Sequence, residues 1–251
     1  MEIVLTIAGS DPSGGAGIQQ DLKVITAHGC YGATVITALT SQNTLGVQSS
    51  MPVPPDVVAS QLQAVLSDLH LSAIKIGMIP DKAVAQVIVE ALKEVQVPII
   101  YDPVMISTSG YQLMSSDAIN YIAEQLFPLC TLVTPNLPEA ERLKEQIEHP
   151  CTAFLVKGGH AQSTQMTDRL IMPNGTVCEF TTEKIASSNL HGTGCTLSSA
   201  IASNMALGNA LPKAISQAKE FITAAIRRSA DISIGHGNGP LLPFLTIVLT
   251  P

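Results

Sequence analysis

The segment HGTGCTLSSA, residues 191–200, places two glycines and a cysteine directly before an apolar stretch with helical spacing. Because Gly192 and Gly194 free the backbone to curl, the N–H groups from Gly192 through Thr193 and Gly194 to Cys195 can point into one concavity at the start of a helix. The first N–H groups of a helix have no partner within it, so such a concavity attracts anions. We therefore expect a hole for a phosphoryl group here, although the same pattern is also typical of a glycine-rich cap before a buried helix.

Four polar side chains follow predicted strands or begin a predicted helix in the middle of the chain. Lys157 follows AFLV and can extend a point charge toward a phosphate. Asp102 ends PIIYD, and Asn136 and Glu139 lie three residues apart at the helix start in TPNLPEAE. Oxygen ligands of this kind suit Mg²⁺, often through retained waters. A solvated lysine and an ordinary helix cap are the alternatives that the residues leave open.

The N-terminal segment GSDPSGGAGIQQD contains four glycines between residues 9 and 17 and opens a helix from about Gly15. Its backbone can approach a ligand closely, yet its spacing matches neither the Walker phosphate loop nor the dinucleotide-binding glycine pattern. Asp21 lies nearly two turns into that helix, where a carboxylate gains little from the helix dipole. From the residues alone we expect an exposed aspartate. The histidines that flank the glycine segments, His160 and His191, are expected to orient loops.

Composition excludes several classes of function. The chain has 251 residues, 46% of them hydrophobic, and 13 basic against 20 acidic residues give a net charge of −7 without a basic stripe. Nucleic acid is therefore not an expected partner. The five cysteines are odd in number and contain no CxxC pair, which argues against a disulfide framework or a zinc site and favours a reducing cytoplasm. The sequence shows no basic leader and no long apolar stretch, so we expect neither a signal peptide nor a membrane span.

Short β-rich runs alternate with helical ones along most of the chain, which predicts one doubly wound α/β domain over residues 1–251. We expect a mostly parallel central sheet with helices on both faces, since runs such as AIKIG and AFLVK have the apolar character of strands buried on both sides. A hairpin is predicted to turn at Asn174-Gly175. Ligands of such sheets bind beyond the carboxyl ends of the strands, and the polar residues described above fall at those ends.

Eight phrases, in order, resemble the ribokinase-like superfamily, and specifically the hydroxymethylpyrimidine/phosphomethylpyrimidine kinases of thiamin biosynthesis. They are TIAGSDPSGGAGIQQDLK, VITALTSQNTLGVQ, KIGM, DPVM, TPNLPEAE, LVKGGH, HGTGCTLSSAIA and GHGNGP. The resemblance covers nearly the whole chain. It implies a ribokinase-like fold, ATP-dependent phosphorylation of 4-amino-5-hydroxymethyl-2-methylpyrimidine and then of its monophosphate, Mg²⁺ as cofactor, and a homodimer.

The resemblance also implies which residues line the pyrimidine pocket, namely Gly9, Asp21, Gln42, Met78 and Val104. The side-chain amide of Gln42 has the donor and acceptor needed to pair with the ring nitrogen and amino group of the pyrimidine.

For the nucleotide, the resemblance assigns the phosphates to Lys157 and the organisation of Mg²⁺ with its waters to Asp102, Asn136 and Glu139. The backbone from Gly192 to Cys195 is then the anion hole.

Most sugar kinases of this superfamily place an aspartate base where Cys195 stands. A helix N-terminus lowers the pKa of a thiol from its usual value of about 8.5, so we expect a thiolate that can accept the hydroxymethyl proton near neutral pH. The base role of Cys195 is a hypothesis, because phosphoryl transfer depends chiefly on positioning and electrostatics.

Three other functions compete with this interpretation. A pyridoxal kinase of the same branch shares HGTGCT, and Gln42 favours the pyrimidine over pyridoxal. A thiol hydrolase would use Cys195 as nucleophile, but the nearby His191 has no evident third group to orient it. A non-catalytic pyrimidine-binding module would not need the intact Lys157, Glu139 and anion-hole glycines.

Overall fold

The computed structural model describes residues 1–107, 110–158 and 164–243, and its strands join in one nine-stranded sheet. The strands are β1 Ile3–Ser10, β2 Tyr31–Asn43, β3 Gly46–Pro52, β4 Ala73–Ile76, β5 Ile99–Tyr101, β6 Leu132–Val133, β7 Ala153–Val156, β8 Gln165–Ile171 and β9 Val177–Glu183. Their order across the sheet is β3-β2-β1-β4-β5-β6-β7-β8-β9. The six strands from β2 to β7 in this order are parallel, while β3, β8 and β9 are antiparallel, which confirms a mostly parallel sheet.

Helices cover both faces of this sheet, as expected. Their bounds are α1 Gly17–Ala27, α2 Pro55–Leu66, α3 Lys82–Leu92, α4 Ser116–Tyr121, α5 Leu137–Arg142, α6 Lys144–Glu148, α7 Thr193–Ala206 and α8 Leu211–Ser229. Apolar residues of α2, α3 and α4 pack into one buried cluster, and those of α1, α7 and α8 pack into a second. The two clusters lie on opposite sides because successive side chains of a strand alternate between its faces.

Strand β4 shows this alternation and also contains one buried charged residue. Ile74 and Ile76 join the cluster on the α2–α4 side, whereas Ala73 joins the cluster on the α1–α7–α8 side. Lys75 shares the face of Ala73, is fully buried, and pairs with Asp21 of α1. The interpretation of AIKIG as apolar throughout is therefore wrong at its centre, where a buried ion pair crosses from the sheet to a helix.

Two elements differ from the sequence-based expectation. Strand β2 continues past the apolar run GATVITAL to Asn43 and turns back into β3, with Asn43 opposite Gly46. Four of the seven residues of β3 are exposed and three are polar, so it lacks the apolar run that marks a buried strand. The helix that begins in TPNLPEAE is interrupted at Leu143 and forms α5 and α6. The hairpin of β8 and β9 is confirmed, with Ile171 opposite Val177.

Candidate active site

The carboxyl ends of the parallel strands bring most of the predicted site residues to one edge of the sheet. The residues at or just beyond those ends are Gly9, Gln42, Met78, Asp102, Val104, Asn136 and Lys157. Helices α1, α5 and α7 begin at the same edge and contribute Asp21, Glu139 and residues 193–195, with Gly192 as the N-cap of α7. Gln42 lies within β2 rather than after it, because that strand extends to Asn43.

The two glycine segments contact each other directly through their backbones. Gly192 has a φ of +81°, and a Cβ on it would lie 1.9 Å from the carbonyl oxygen of Gly15. A Cβ on Gly15 would in turn lie 2.3 Å from Cδ2 of the His191 ring. Only glycine fits at both positions, so the first turn of α7 docks against the loop that precedes α1.

The side chain of Asp11 stabilises the loop that precedes α1 through hydrogen bonds. Its Oδ1 accepts hydrogen bonds from the Ser13 N–H (2.9 Å) and hydroxyl (2.7 Å), and its Oδ2 accepts one from the Ala16 N–H (2.9 Å). The same Oδ2 lies 2.8 Å from Nε2 of His191. Burial alone would raise the pKa of Asp11, but the hydrogen bonds from His191 and Ser13 hold it below its usual value. Asp11 is therefore a carboxylate that ties the N-terminal loop to the residue preceding Gly192.

The N-terminus of α7 opens toward Lys157 and Asp102. The Thr193 N–H donates to a carbonyl oxygen of the preceding loop (3.3 Å), whereas the N–H groups of Gly194 and Cys195 have no acceptor within the helix. A Cβ on Gly194 would stand 3.0 Å from Oδ2 of Asp102 and 3.5 Å from Nζ of Lys157. Gly194, in the first turn of α7, thus lies close to one carboxylate and one cation, and a side chain at this position would crowd the carboxylate.

Lys157 is held by an ion pair instead of extending into solvent. Its Nζ lies 2.7 Å from Oδ1 of Asp102, and the Thr134 hydroxyl donates to the same oxygen (3.2 Å). Burial favours the neutral amine, but Asp102 and Glu139 together raise the pKa of Lys157 above its usual value. A positive charge is therefore fixed within reach of the α7 N-terminus.

Asn136 and Glu139 form a reciprocal cap at the start of α5. The Glu139 N–H donates to Oδ1 of Asn136 (2.9 Å), and the Asn136 N–H donates to Oε2 of Glu139 (2.8 Å). Both residues therefore cap the helix, which is the alternative that the sequence left open. Burial raises the pKa of Glu139 to about 7, and Asp102 adds to this shift while the Lys157 ammonium opposes it. A bound cation would favour the ionised form of Glu139, which burial and Asp102 disfavour.

The donor set fits Mg²⁺ only as an ion that keeps much of its water. In residues 1–107, 110–158 and 164–243 no three His, Cys, Asp or Glu side chains are grouped as a metal site. Asp102 and Glu139 supply two carboxylates, and Mg²⁺ commonly binds one or two carboxylates together with waters and substrate phosphates. The residues therefore fit this ion as a partner of a bound nucleotide rather than as a cage for the metal alone.

Asp21 is fully buried, so the expectation of an exposed aspartate is wrong. Lys75 Nζ lies 2.9 and 2.8 Å from its two carboxylate oxygens, and the hydroxyls of Ser199 and Thr6 donate to it at 2.8 and 2.6 Å. Burial would lower the pKa of Lys75, but Asp21 and, more weakly, Cys195 and Asp102 raise it instead. Four donated hydrogen bonds saturate Asp21, which joins β1, β4, α1 and α7 beneath the site.

The expected lowering of the Cys195 pKa is wrong. Burial raises the pKa of the Cys195 thiol to about 11, and the carboxylates of Asp21 and Asp102 add to the shift. Lys75 and the Gly17 N–H favour the thiolate but do not outweigh burial. Desolvation of this half-buried residue and the two nearby carboxylates therefore outweigh the groups that favour the thiolate.

The residues expected to line the pyrimidine pocket lie at the ends of β1, β2, β4 and β5, apart from Asp21 in α1. A Cβ on Gly9 would meet Sδ of Met78 at 3.0 Å, so these two residues are in close contact. The Met78 carbonyl oxygen accepts a hydrogen bond from the Thr37 hydroxyl (2.6 Å), which fixes Met78 against β2. Val104 is partly exposed just beyond Asp102.

A cavity of about 480 Å³ lies beside this edge of the sheet. Its lining combines the β2–β3 turn with the segment after residue 109, namely Asn43, Leu45, Gly46, Val47, Gln48, Gly110 and Tyr111. A smaller adjoining cavity of about 20 Å³ is bordered by Gln42 and His191. Lys157 and Cys195 line neither of these two cavities.

From the sequence, neither Lys75 nor Asp11 is assigned to the site, and His191 is expected only to orient a loop. Lys75 was hidden in an apolar run, whereas Asp11 and His191 adjoin the glycine segments that were singled out. An aspartate two residues before a serine in a glycine-rich loop is a signal for the turn that Asp11 makes. Gly159 and His160 lie outside the described residues.

Comparisons with known proteins agree on one family. A sequence profile described as phosphomethylpyrimidine kinase matches residues 11–242. The hydroxymethylpyrimidine/phosphomethylpyrimidine kinase of Rhizobium meliloti is 43% identical over 258 residues, covering 96% of this chain and 97% of that protein.

Solved structures give the same result at the level of the fold. A phosphomethylpyrimidine kinase from Clostridium difficile is 38% identical with a TM-score of 0.77, covering 90% of this chain and all of that chain. A pyridoxal kinase from Bacillus subtilis, solved as an ADP complex, is 32% identical with a TM-score of 0.84, and the match covers 96% of each chain.

The docking of Gly192 against Gly15 predicts a specific cost for a side chain. Gly208, at the other end of α7, has a similar φ of +84° but open space around a Cβ, so Gly208→Ala is a matched control. Each substitution should lose about 1–2 kcal/mol of unfolding free energy from the left-handed backbone. Gly192→Ala should lose about 1–3 kcal/mol more from the clash with a carbonyl oxygen that cannot rotate away. Urea unfolding followed by circular dichroism measures both, and equal losses would contradict the packing described.

Proposed function

The chain belongs to the phosphomethylpyrimidine kinase family, and on this basis we propose that it transfers the γ-phosphoryl group of ATP to 4-amino-5-hydroxymethyl-2-methylpyrimidine and then to the resulting monophosphate. The observation that carries the proposal is the N-terminus of α7, where Gly194 lies close to Lys157 and Asp102 and the first N–H groups have no partner within the helix. In the first step the hydroxymethyl oxygen bonds to the γ-phosphorus, the bond to the β–γ bridging oxygen breaks, ADP leaves and the hydroxyl proton is released. The second transfer, to the monophosphate, gives the pyrophosphate that is used for thiamin.

We assign stabilisation of the transition state to hydrogen-bond donors that the fold holds in position. The backbone of Gly192, Thr193, Gly194 and Cys195 acts as the anion hole, and Lys157 neutralises nucleotide phosphate. Donors of this kind need no reorganisation as charge develops on the phosphoryl oxygens, which is the main source of catalysis in phosphoryl transfer. The ion pair of Lys157 with Asp102, at 2.7 Å, supports this assignment because it holds the ammonium in place before the nucleotide arrives.

Mg²⁺ is proposed to be held by Asp102 and Glu139, in part through water. Bound there, the ion would neutralise phosphate charge. Asn136 contributes by capping α5 and so fixing the carboxylate of Glu139. The raised pKa of Glu139, about 7, supports the assignment because a further cation would favour the ionised carboxylate, which burial and Asp102 disfavour.

The pyrimidine is proposed to bind against Gly9, Gln42, Met78 and Val104. The close approach of Met78 to Gly9 supports this assignment because it brings two of the four residues together. Asp21, saturated by its own donors, is assigned an indirect part in this pocket: it fixes α1 and β4, which carry the loops on either side.

We propose that residues 1–251 form a single domain, that the chain acts in the cytoplasm, and that it forms a homodimer. The continuous nine-stranded sheet supports the first, and five free thiols support the second. The exposed side chains of Leu39, Leu45 and Met51 on the β2–β3 hairpin support the third. None of the helices in the described ranges is long and apolar enough to span a membrane.

A pyridoxal kinase is the second candidate, favoured by the Bacillus subtilis structure with a TM-score of 0.84. The two activities share the anion hole and differ in the heterocycle that the pocket accepts. Gln42 favours the aminopyrimidine, since its amide can meet both a ring nitrogen and an amino group.

ADP release tests the function directly. The full chain should form ADP with the aminopyrimidine alcohol and with its monophosphate when ATP and Mg²⁺ are present, and only slowly with pyridoxal. Removal of Mg²⁺ should abolish turnover. No ADP with either pyrimidine would contradict the proposal, and faster turnover of pyridoxal would favour the second candidate.

The raised pKa of Cys195 predicts that its thiol does little proton transfer. With a pKa of about 11, about one molecule in ten thousand carries a thiolate at pH 7. Cys195→Ala should therefore keep kcat within about tenfold, below the 10²- to 10⁴-fold that a positioned general base contributes. A 10²-fold loss that Cys195→Asp restores, with a kcat that rises tenfold per pH unit in the wild type, would establish the base role instead.

A further inference from the structure

One ring nitrogen of His191 lies between a carboxylate and an amide. Its Nε2 is 2.8 Å from Oδ2 of Asp11 and 3.2 Å from the side-chain nitrogen of Gln42. His191 and Asp11 are largely buried, and Gln42 is partly exposed. His191 and Gln42 also border the same small cavity.

The chemistry of Asp11 decides which atom carries the proton. A carboxylate can only accept hydrogen bonds, and hydrogen bonds from Ser13, Ala16 and His191 stabilise its charged form against burial. Nε2 of His191 must therefore carry a hydrogen and donate it to Asp11. An N–H at this position cannot accept a hydrogen bond from the amide nitrogen of Gln42.

The Gln42 amide has an orientation that removes this conflict. The oxygen and nitrogen of an amide have the same shape, so hydrogen-bond partners decide which is which. With its oxygen toward His191, the amide accepts a share of the Nε2–H. Its nitrogen then faces the Thr40 hydroxyl, 3.3 Å from the other end of the amide.

Thr40 is able to accept in that orientation. Its hydroxyl hydrogen is already donated to the Ser10 carbonyl oxygen (2.9 Å), which leaves lone pairs on Oγ1 for an N–H of Gln42. The chain Asp11, His191, Gln42, Thr40 and Ser10 then has a donor opposite an acceptor at every step. One N–H and one oxygen lone pair of the Gln42 amide are left for a ligand.

We propose that His191 is a positioning residue, which fixes the Gln42 amide in one orientation so that it reads the edge of an aminopyrimidine formed by a ring nitrogen and the adjacent amino group. This inference rests on the proposed function, since it names the device by which that site selects its heterocycle. The amide oxygen accepts a hydrogen bond from the amino group, and the free N–H of the amide donates one to the ring nitrogen. A heterocycle without the amino group leaves the amide oxygen unpaired and is rejected for that reason.

The test measures binding rather than turnover, so that it stands apart from the kinase assay. Isothermal titration of the full chain would give Kd for the aminopyrimidine alcohol and for the analogue with hydrogen in place of the amino group. His191→Ala should weaken binding of the aminopyrimidine about tenfold, as expected for loss of one well-placed hydrogen bond, and should change the analogue's Kd by less than about twofold.

A double-mutant cycle separates positioning from general damage to the loop. In a Gln42→Ala background His191→Ala should have no further effect, because the amide that it orients is gone. His191→Gln, which restores a side-chain N–H toward Asp11, should recover most of the affinity. His149→Ala, at an exposed histidine, should bind as the wild type does.

An equal loss of affinity for both ligands would overturn the inference, and so would an undiminished effect of His191→Ala in the Gln42→Ala background. Wild-type Kd values that do not distinguish the two ligands would also overturn it. Selective binding without ADP formation would instead contradict the kinase and leave the positioning role supported.

Discussion

The backbone contact between Gly192 and Gly15 holds the two halves of the site together. At 1.9 Å from the Gly15 carbonyl oxygen there is no room for a Cβ, and the φ of +81° at Gly192 turns the chain directly into α7. Asp11 reinforces this contact, because it closes the N-terminal loop and accepts a hydrogen bond from His191. The direction of the first N–H groups of α7 thus depends on a loop that lies about 180 residues earlier in the chain.

Charge beneath and beside α7 is arranged in two ion pairs, one half-buried and one fully buried. Lys157 with Asp102 lies beside the start of the helix, where the proposed function places a nucleotide phosphate and a cation. Lys75 with Asp21 lies below, where all acceptors are saturated and no surface is exposed. The first pair is suited to binding and the second to holding strands and helices in register, since breaking a fully buried pair leaves an uncompensated charge.

Local patterns in the sequence predicted the parallel sheet, the hairpin at Asn174-Gly175 and the glycine-rich start of α7, because each depends on neighbouring residues. Long-range partners could not be predicted in this way. Asp21 seemed exposed because Lys75, its partner, is 54 residues away in a strand with an apolar pattern. The Cys195 pKa was misjudged for a similar reason, since the helix terminus is local while the burial and carboxylates that outweigh it come from distant segments. The roles assigned to individual site residues stay predictions.

The most direct test of the account is the structure of the full chain with the aminopyrimidine alcohol, Mg²⁺ and a non-hydrolysable ATP analogue. The account predicts that terminal phosphate oxygens accept hydrogen bonds from the Gly194 and Cys195 N–H groups at about 2.7–3.1 Å, with the hydroxymethyl oxygen facing the γ-phosphorus. A terminal phosphate bound away from the start of α7, or a pyrimidine ring seated in the cavity beside Gly110 and Tyr111, would contradict it.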